Sequence, residues 1–368
     1  MITIVGAGMG GLTLASVLYK NGITAVVYDA DLSATSRHQG GMLDIHQDTG
    51  QAALQAAGLL DAFGRLTLEN GDAMRILDKT GAVRMTSDGD GLRPEIERGE
   101  LRNLLLSSLP AGLVRWNARV TGISRVKNQF NLSFVDGSVA TTDVLIGADG
   151  AWSTVRPLVS EASPTYAGIS AVELRYRDAD QRHPTAAALV GKGMMFALSD
   201  ERGLIGHREP NNELCVYAAL KVPADWSKQP ISRDMLHEYF DDWHADFHEL
   251  LASSDGDLLP RPIWTLPVGH RWPRTPGVTL LGDAAHLMSP FAGEGVNLAM
   301  IDGADLANAI IAHRGDIEGA FATCEAAMFP RALEKAAESA ANLELAFEAN
   351  SPQGILEFFA SHSAGTPG

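Results

Sequence analysis

The residues whose types and spacing could do chemistry lie toward the two ends of the chain. Gly6, Gly8 and Gly11 form a GxGxxG pattern directly after the apolar run ITIV, and Asp29 closes the next apolar run, ITAVVYD. Glycines at that spacing permit a tight turn, let bare amides approach an anion, and let a helix pack closely on a strand. The helix N-terminus then favours a pyrophosphate. Asp29 is placed to accept hydrogen bonds from a ribose. Together these residues read as a dinucleotide cradle, which by itself leaves NAD(P) and FAD equally open.

Two further segments repeat the theme of an acid at a strand end. DVLIGADGAWSTVR (143–156) sets Asp149 and Gly150 after one hydrophobic run, and VTLLGDAAHLMSPFAGEGVN (278–297) sets Gly282 and Asp283 after another. In the second, Pro290 and Gly293 forbid an immediate helix, and Gly293-Glu294-Gly295 brings bare backbone to a helix start. Such a loop is suited to hold a ligand against backbone.

These motifs need elements to hold them. Residues 2–5, the helical run LTLASVLYKNG and residues 23–29 make a βαβ unit. A helix is expected over 51–63, a hairpin over 75–86 turned at Thr80 and Gly81, a helix over 99–109 and another over 151–159. From about 166 to 267 the pattern is strand-like and reads as a separate sheet. From 294 to 361 it is helical, with turns near Gly315 and at Ser351-Pro352.

With 368 residues, 45% of them hydrophobic, the chain has ample material for two cores. Lys and Arg total 29 against 45 Asp and Glu, a net charge of −16 that disfavours nucleic acid and anionic membrane as partners. The start MITIVGAG has no leader pattern and no run is long enough to span a bilayer, so a cytoplasmic location is expected. Cys215 and Cys324 stand far apart with no metal spacing, so neither a disulfide framework nor a metal site is expected.

The ordered triple of GxGxxG, central DG and late GD resembles the class A flavoprotein monooxygenases of the para-hydroxybenzoate hydroxylase type. RHQGGMLDIHQDTGQAALQAAGLL (37–60), ELRNLLLSSL (100–109) and GDAAHLMSPFAGEGVN (282–297) resemble more closely the tetracycline-inactivating subgroup. The resemblance implies an α/β fold: a Rossmann-like FAD-binding domain from 1–70, 97–165 and 268–330, a sheet-based substrate domain from 71–96 and 166–267, and bracing C-terminal helices over 331–361. It implies a non-covalent FAD, held by the cradle glycines, Asp29, Asp149 and Asp283. Gly40, Gly41 and Asp44, with Pro290, Gly293 and Gly295, would lie near the isoalloxazine, and Arg102 would reach the flavin side. NAD(P)H, NADPH in preference, would bind transiently, since no second cradle is present, and O2 would be the co-substrate.

The implied reaction is hydroxylation of an electron-rich polycyclic aromatic or polyketide compound, a tetracycline-type antibiotic among the candidates. Because the flavin carries the chemistry, no catalytic side chain is assigned, and His46 and His286 are read as structural. The alternatives are a hydroxylase of a small phenol and a non-catalytic flavoprotein that sequesters a hydrophobic compound. Glu173, Met195, Phe291 and Phe347 are the expected substrate contacts. Two polar substrate positions of the subgroup fall on Gly193 and Cys215, a departure that leaves His207, Arg208, Asn211 or Asn212 to supply the grip. The protein is expected to be a monomer or weak dimer.

Overall fold

The computed structural model describes residues 1–36, 41–68, 73–89 and 91–363. The chain divides into two compact units. One comprises Met1–Thr67, Arg98–Thr165 and Trp264–Ser339, and the other Leu68–Glu97, Tyr166–Ile263 and Ala340–Gly368.

The first unit is built on a five-stranded sheet in the order Val278–Leu280, Val144–Gly147, Ile2–Val5, Ala25–Tyr28, Val114–Arg115, parallel throughout. Its strands are short, β-branched and mostly buried, as parallel strands covered on both faces must be. The helix Met9–Lys20 makes the crossover between the first two strands, with Leu12, Leu14, Val17 and Leu18 buried. A three-stranded antiparallel meander, Val120–Val126, Gln129–Phe134 and Val139–Thr142, lends Phe130, Leu132 and Phe134 to a core shared with Val5, Leu145, Val278 and Leu280. All three acid-bearing motifs begin where the parallel strands end: Gly6 after Val5, Asp149 after Gly147, Asp283 after Leu280. The carboxyl edge of an open parallel sheet is where such folds bind ligands.

The second unit holds a seven-stranded sheet in the order Asp255–Thr265, Thr165–Tyr176, Glu213–Lys221, Arg202–Glu209, Met194–Ser199, Met74–Leu77, Val83–Ser87. The expected hairpin is present, and its first strand joins the sheet by parallel pairing with Met194–Ser199. The helices Pro184–Val190, Arg233–Tyr239 and Ala245–Ser253 supply a core with Val172, Leu174, Met195, Ala197, Leu204 and Val216.

Two local expectations fail for local reasons. The helix over 51–63 is broken, because Gly58 takes a left-handed φ of 78° and ends Ala52–Ala57 before Leu60–Gly64 begins. Residues 151–159 form only a single turn at Arg156–Leu158. There the Asp149 carboxylate accepts from Thr154 N at 2.7 Å and the Ser153 hydroxyl from Arg156 N at 3.0 Å, which satisfies the backbone without a helix. Residues 331–346, expected among the C-terminal helices, lie within one long helix, Ile317–Ala346, that carries Pro330. Among the described residues no helix is long and apolar enough to cross a membrane.

Candidate functional site

At the cradle, Gly6 has φ of 108°, and a Cβ built there would lie 2.1 Å from Ala148 O. A Cβ on Gly11 would lie 2.1 Å from Gly6 O, whereas one on Gly8 would meet nothing within 4 Å among the described residues. Gly6 and Gly11 are therefore fixed by packing, while Gly8 faces open space across which a ligand can reach the backbone. The helix behind it has no side-chain cap at Gly8, which leaves its first amides without a local partner.

The peptide of Ala7 is clamped from both sides. Its N–H donates to Asp29 Oδ2 at 2.6 Å, and its carbonyl accepts from Arg102 Nε at 3.3 Å. Arg102 is 3% exposed. It also donates to Ala34 O and Asp31 Oδ2 and lies over the Trp116 ring. Here Arg102 braces the cradle and the loop after the second strand. Each Asp29 oxygen already accepts one backbone N–H, from Ala7 and from Asp31, and keeps a second lone pair for a ligand.

The other two motifs are tied together by a residue that the sequence did not single out. Arg156 is 3% exposed and donates from Nε to Ala284 O at 2.8 Å, and from one amino nitrogen to Ala151 O at 2.8 Å and Asp283 O at 3.1 Å. One guanidinium thus holds both loops, as a planar fork of donors can. Behind the GD turn, buried Asp302 accepts from Gly282 N at 3.1 Å. It contacts His286 Nε2 at 2.5 Å and Arg331 at 2.9 Å. Burial works against the His286 charge, but Asp302 outweighs it and raises the pKa, so His286 is a staple for the turn.

Asp283 itself behaves differently. Its side chain is exposed to solvent, and among the described residues its carboxylate takes no hydrogen bond. Dense surrounding protein still pushes its pKa up against the pull of His286, Arg98 and Arg156. Accessible yet hemmed in, this carboxylate fits a ligand donor such as a ribityl hydroxyl. Asp149 Oδ1, by contrast buried, also has no hydrogen-bond partner among the described residues. An open glycine, an uncapped helix and two acceptors with spare capacity, all at one sheet edge, suit a dinucleotide.

Asp44 and the 290–295 loop also come together. Asn297, fully buried, accepts from His46 N at 2.9 Å and donates to Asp44 O at 2.9 Å and Gly293 O at 3.1 Å. Pro290–Ala292 is one tight turn closed by Gly293 N on Pro290 O, and Phe291 on it is half-buried. Gly41 accepts from Arg98 N through its carbonyl at 3.0 Å, while Gly40 lies outside the described residues.

In the second unit the sheet register sorts the expected substrate contacts. Glu173, Tyr217, Ile205, Phe196 and Ile76 are direct neighbours and share one face. The adjacent row on that face is Arg175, Cys215, His207, Met194 and Met74. Met195, expected to contact substrate, is fully buried on the opposite face among the helix-backed core, whereas alternation along the strand puts Met194 and Phe196 on the Glu173 face. Phe347 is 3% exposed and lies beside Gly203 on the Glu173 face. Glu173 is paired to Arg175 at 2.8 Å and Arg261 at 2.8 Å. Burial alone would raise its pKa, but those two guanidiniums hold it low. His207 meets Glu95 at 3.0 Å and the Arg208 carbonyl at 2.8 Å. Arg208 pairs with Asp180, and Asn211 and Asn212 are left-handed turn residues.

Residues 1–316 match the family described as FAD binding domain. The chain is 32% identical over 370 residues to the monooxygenase asqM of Emericella nidulans, covering 83% of this chain and 82% of that protein. Among solved structures, it resembles Klebsiella pneumoniae HpxO complexed with FAD and uric acid, at TM-score 0.81 and 22% identity over 100% of this chain and 93% of that one. It also resembles the tetracycline destructase Tet(55), at TM-score 0.78 and 17% identity over 99% and 94%. With a cradle, a DG turn and a GD turn converging on one sheet edge, and with relatives of this kind, the chain belongs to the FAD-binding family and is an FAD-dependent monooxygenase.

Proposed function

We propose that the protein uses NAD(P)H, NADPH in preference, and O2 to insert one oxygen atom into an electron-rich polycyclic aromatic or polyketide compound, with the second oxygen leaving as water. The observation that carries the reading is the Glu173 face of the second sheet. There half-buried Tyr217, Ile205 and Phe196 form an apolar, partly aromatic band bordered by the charged pairs of Glu173, Arg175 and His207. Such a band suits a flat, extended ring system with oxygen substituents at its rim.

Bound FAD supplies the oxygen activation. The chain's own residues bind and orient. The cradle amides and Asp29 take the dinucleotide, Asp149 and Asp283 take its hydroxyl donors, and the loop of Pro290, Gly293 and Gly295 is assigned to the flavin ring. Glu173 and Phe347 in the second unit and Phe291 in the first are assigned to substrate. The tetracycline-type grip is weakened, because Gly193 has no side chain and the buried Cys215 thiol is pushed up to about 12 and stays neutral. A tetracycline is therefore one candidate within the class.

The test is NADPH consumption in the presence of tetracyclines, anthracyclines and simple phenols, with products read by mass. Oxygenation confined to the polycyclic compounds is expected. Turnover of simple phenols alone would replace the substrate class with the smaller one, and flavin binding with no substrate-dependent turnover would replace catalysis with sequestration. Within this assignment, Phe291→Ala is expected to keep FAD while raising the Michaelis constant by roughly 10-fold, the scale of losing an aromatic contact of about 1.5 kcal/mol, and diverting reducing equivalents to peroxide. Unchanged coupling and affinity on every accepted substrate would remove Phe291 from the site.

A further inference from the structure

The helix Gly295–Ala312 has 18 residues, and Glu294 stands at its N-cap position, yet the Glu294 side chain makes no capping bond. Its carboxylate is turned to Lys335 Nζ at 2.9 Å and His46 Nδ1 at 3.4 Å. The other ring nitrogen of His46, Nε2, lies 2.8 Å from Asp44 Oδ2, and Lys335 also meets Glu338 at 3.0 Å. Asp44, His46, Glu294, Lys335 and Glu338 therefore make a chain of alternating charge. It links the strand Met42–Asp44, the 290–295 loop and the long helix Ile317–Ala346. Both His46 nitrogens face carboxylate oxygens, Nε2 at hydrogen-bonding distance from Asp44 and Nδ1 at ion-pair distance from Glu294, an arrangement that favours the imidazolium.

We infer that His46 is a positioning residue for the flavin loop: clamped between Asp44 and Glu294, its imidazolium draws the Glu294 carboxylate away from the helix start and leaves the first amides of that helix to the bound FAD. The inference rests on the assignment of the 290–295 loop to the flavin and is independent of the substrate class. Asn297 holds the backbone of 44–46 to Gly293 by neutral hydrogen bonds, so loss of the imidazolium charge changes the field and the Glu294 orientation before it changes the fold. Burial opposes the His46 charge, but Asp44 and Glu294 overcome it and raise its pKa to about 9. Because the folded value is raised, the stabilisation is complete below the ordinary value of 6.5 and is lost as pH rises toward about 9. The melting temperature is expected to decline over that window.

The experiment follows the visible absorption of the bound flavin in the holoenzyme from about pH 6 to about pH 10. The wild type is expected to show a transition with a midpoint at about 9. Glu294→Gln removes a carboxylate beside the ring and should move the midpoint down. Lys335→Met removes a competing cation and should move it up. His46→Gln should abolish the transition and weaken FAD binding on the order of tenfold. Opposite shifts from two variants that leave His46 in place support the inference even where His46→Gln does not fold. One midpoint shared by wild type and both variants, no transition in the wild type, or His46→Gln binding FAD as tightly as wild type would overturn it. A colourless wild-type protein would instead contradict the FAD site itself.

Discussion

Asp283→Ala is expected to give a folded protein that purifies without flavin. The Asp283 carboxylate takes no hydrogen bond among the described residues and is open to solvent, so its removal orphans nothing in the protein. The motif around it stays organised, because Gly282 is held by Asp302 and the following turn by Arg156, through backbone atoms that the substitution leaves in place. What is lost is one acceptor for the ligand, or two when both oxygens engage. A hydrogen bond to a charged group contributes about 1.5–3 kcal/mol, so FAD affinity should fall by roughly 10- to 150-fold for each bond, enough to lose the cofactor during purification. The checks are the flavin absorbance per chain, the dissociation constant on adding FAD back, and an unchanged melting temperature of the apoprotein. A yellow Asp283→Ala protein with wild-type affinity would move the flavin away from the GD turn.

The second large effect separates two glycines of the same motif. At Gly6 a Cβ would lie 2.1 Å from Ala148 O, 2.6 Å from Ala148 C and 2.9 Å from Asp149 N, all backbone, with φ at 108°. None of those atoms can rotate away, and the carbonyl belongs to Ala148, between the strand Val144–Gly147 and Asp149. Gly6→Ala is expected to cost more than about 4 kcal/mol and to lower the melting temperature of the flavin unit by roughly 10 °C. At Gly8 the same methyl meets nothing within 4 Å among the described residues, and φ of −77° is acceptable to any residue. Gly8→Ala should fold with wild-type stability while binding FAD more weakly, because the methyl occupies the space the pyrophosphate needs. Thermal melts of the two apoproteins beside FAD titrations distinguish them. A Gly8→Ala protein that binds FAD normally would place the pyrophosphate elsewhere.

Much of the framework of the candidate site is legible because its signals are local. A glycine that must turn, or an acid at the end of an apolar strand, is visible in a few residues, and parallel pairing brings Gly6, Asp149 and Asp283 to the same sheet edge. Arg156 was missed because its partners are carbonyls, which carry no residue identity, and one of them lies 127 positions away. The charge chain through His46 was missed for a related reason: Asp44 and His46 are two positions apart in sequence, but Glu294 and Lys335 reach them only through the fold. The parity of its strand puts Met195 on the core face. A shift of one residue exchanges core for open face, and neither Met194 nor Met195 signals its face by type. The helix misread over 151–159 shows side chains competing with backbone, since Asp149 and Ser153 take the amides a helix would have used.

The central claim is that one oxygen atom passes from O2 to an aromatic or polyketide substrate on a flavin held by these three turns. The most direct measurement supplies oxygen-18 gas to the holoenzyme with NADPH and an accepted polycyclic substrate, and reads label in the product by mass. One labelled oxygen per product molecule, formed in step with NADPH consumed and absent in Asp283→Ala, is the predicted result. Product carrying only solvent oxygen, or NADPH consumed entirely to labelled peroxide with every substrate offered, would contradict it.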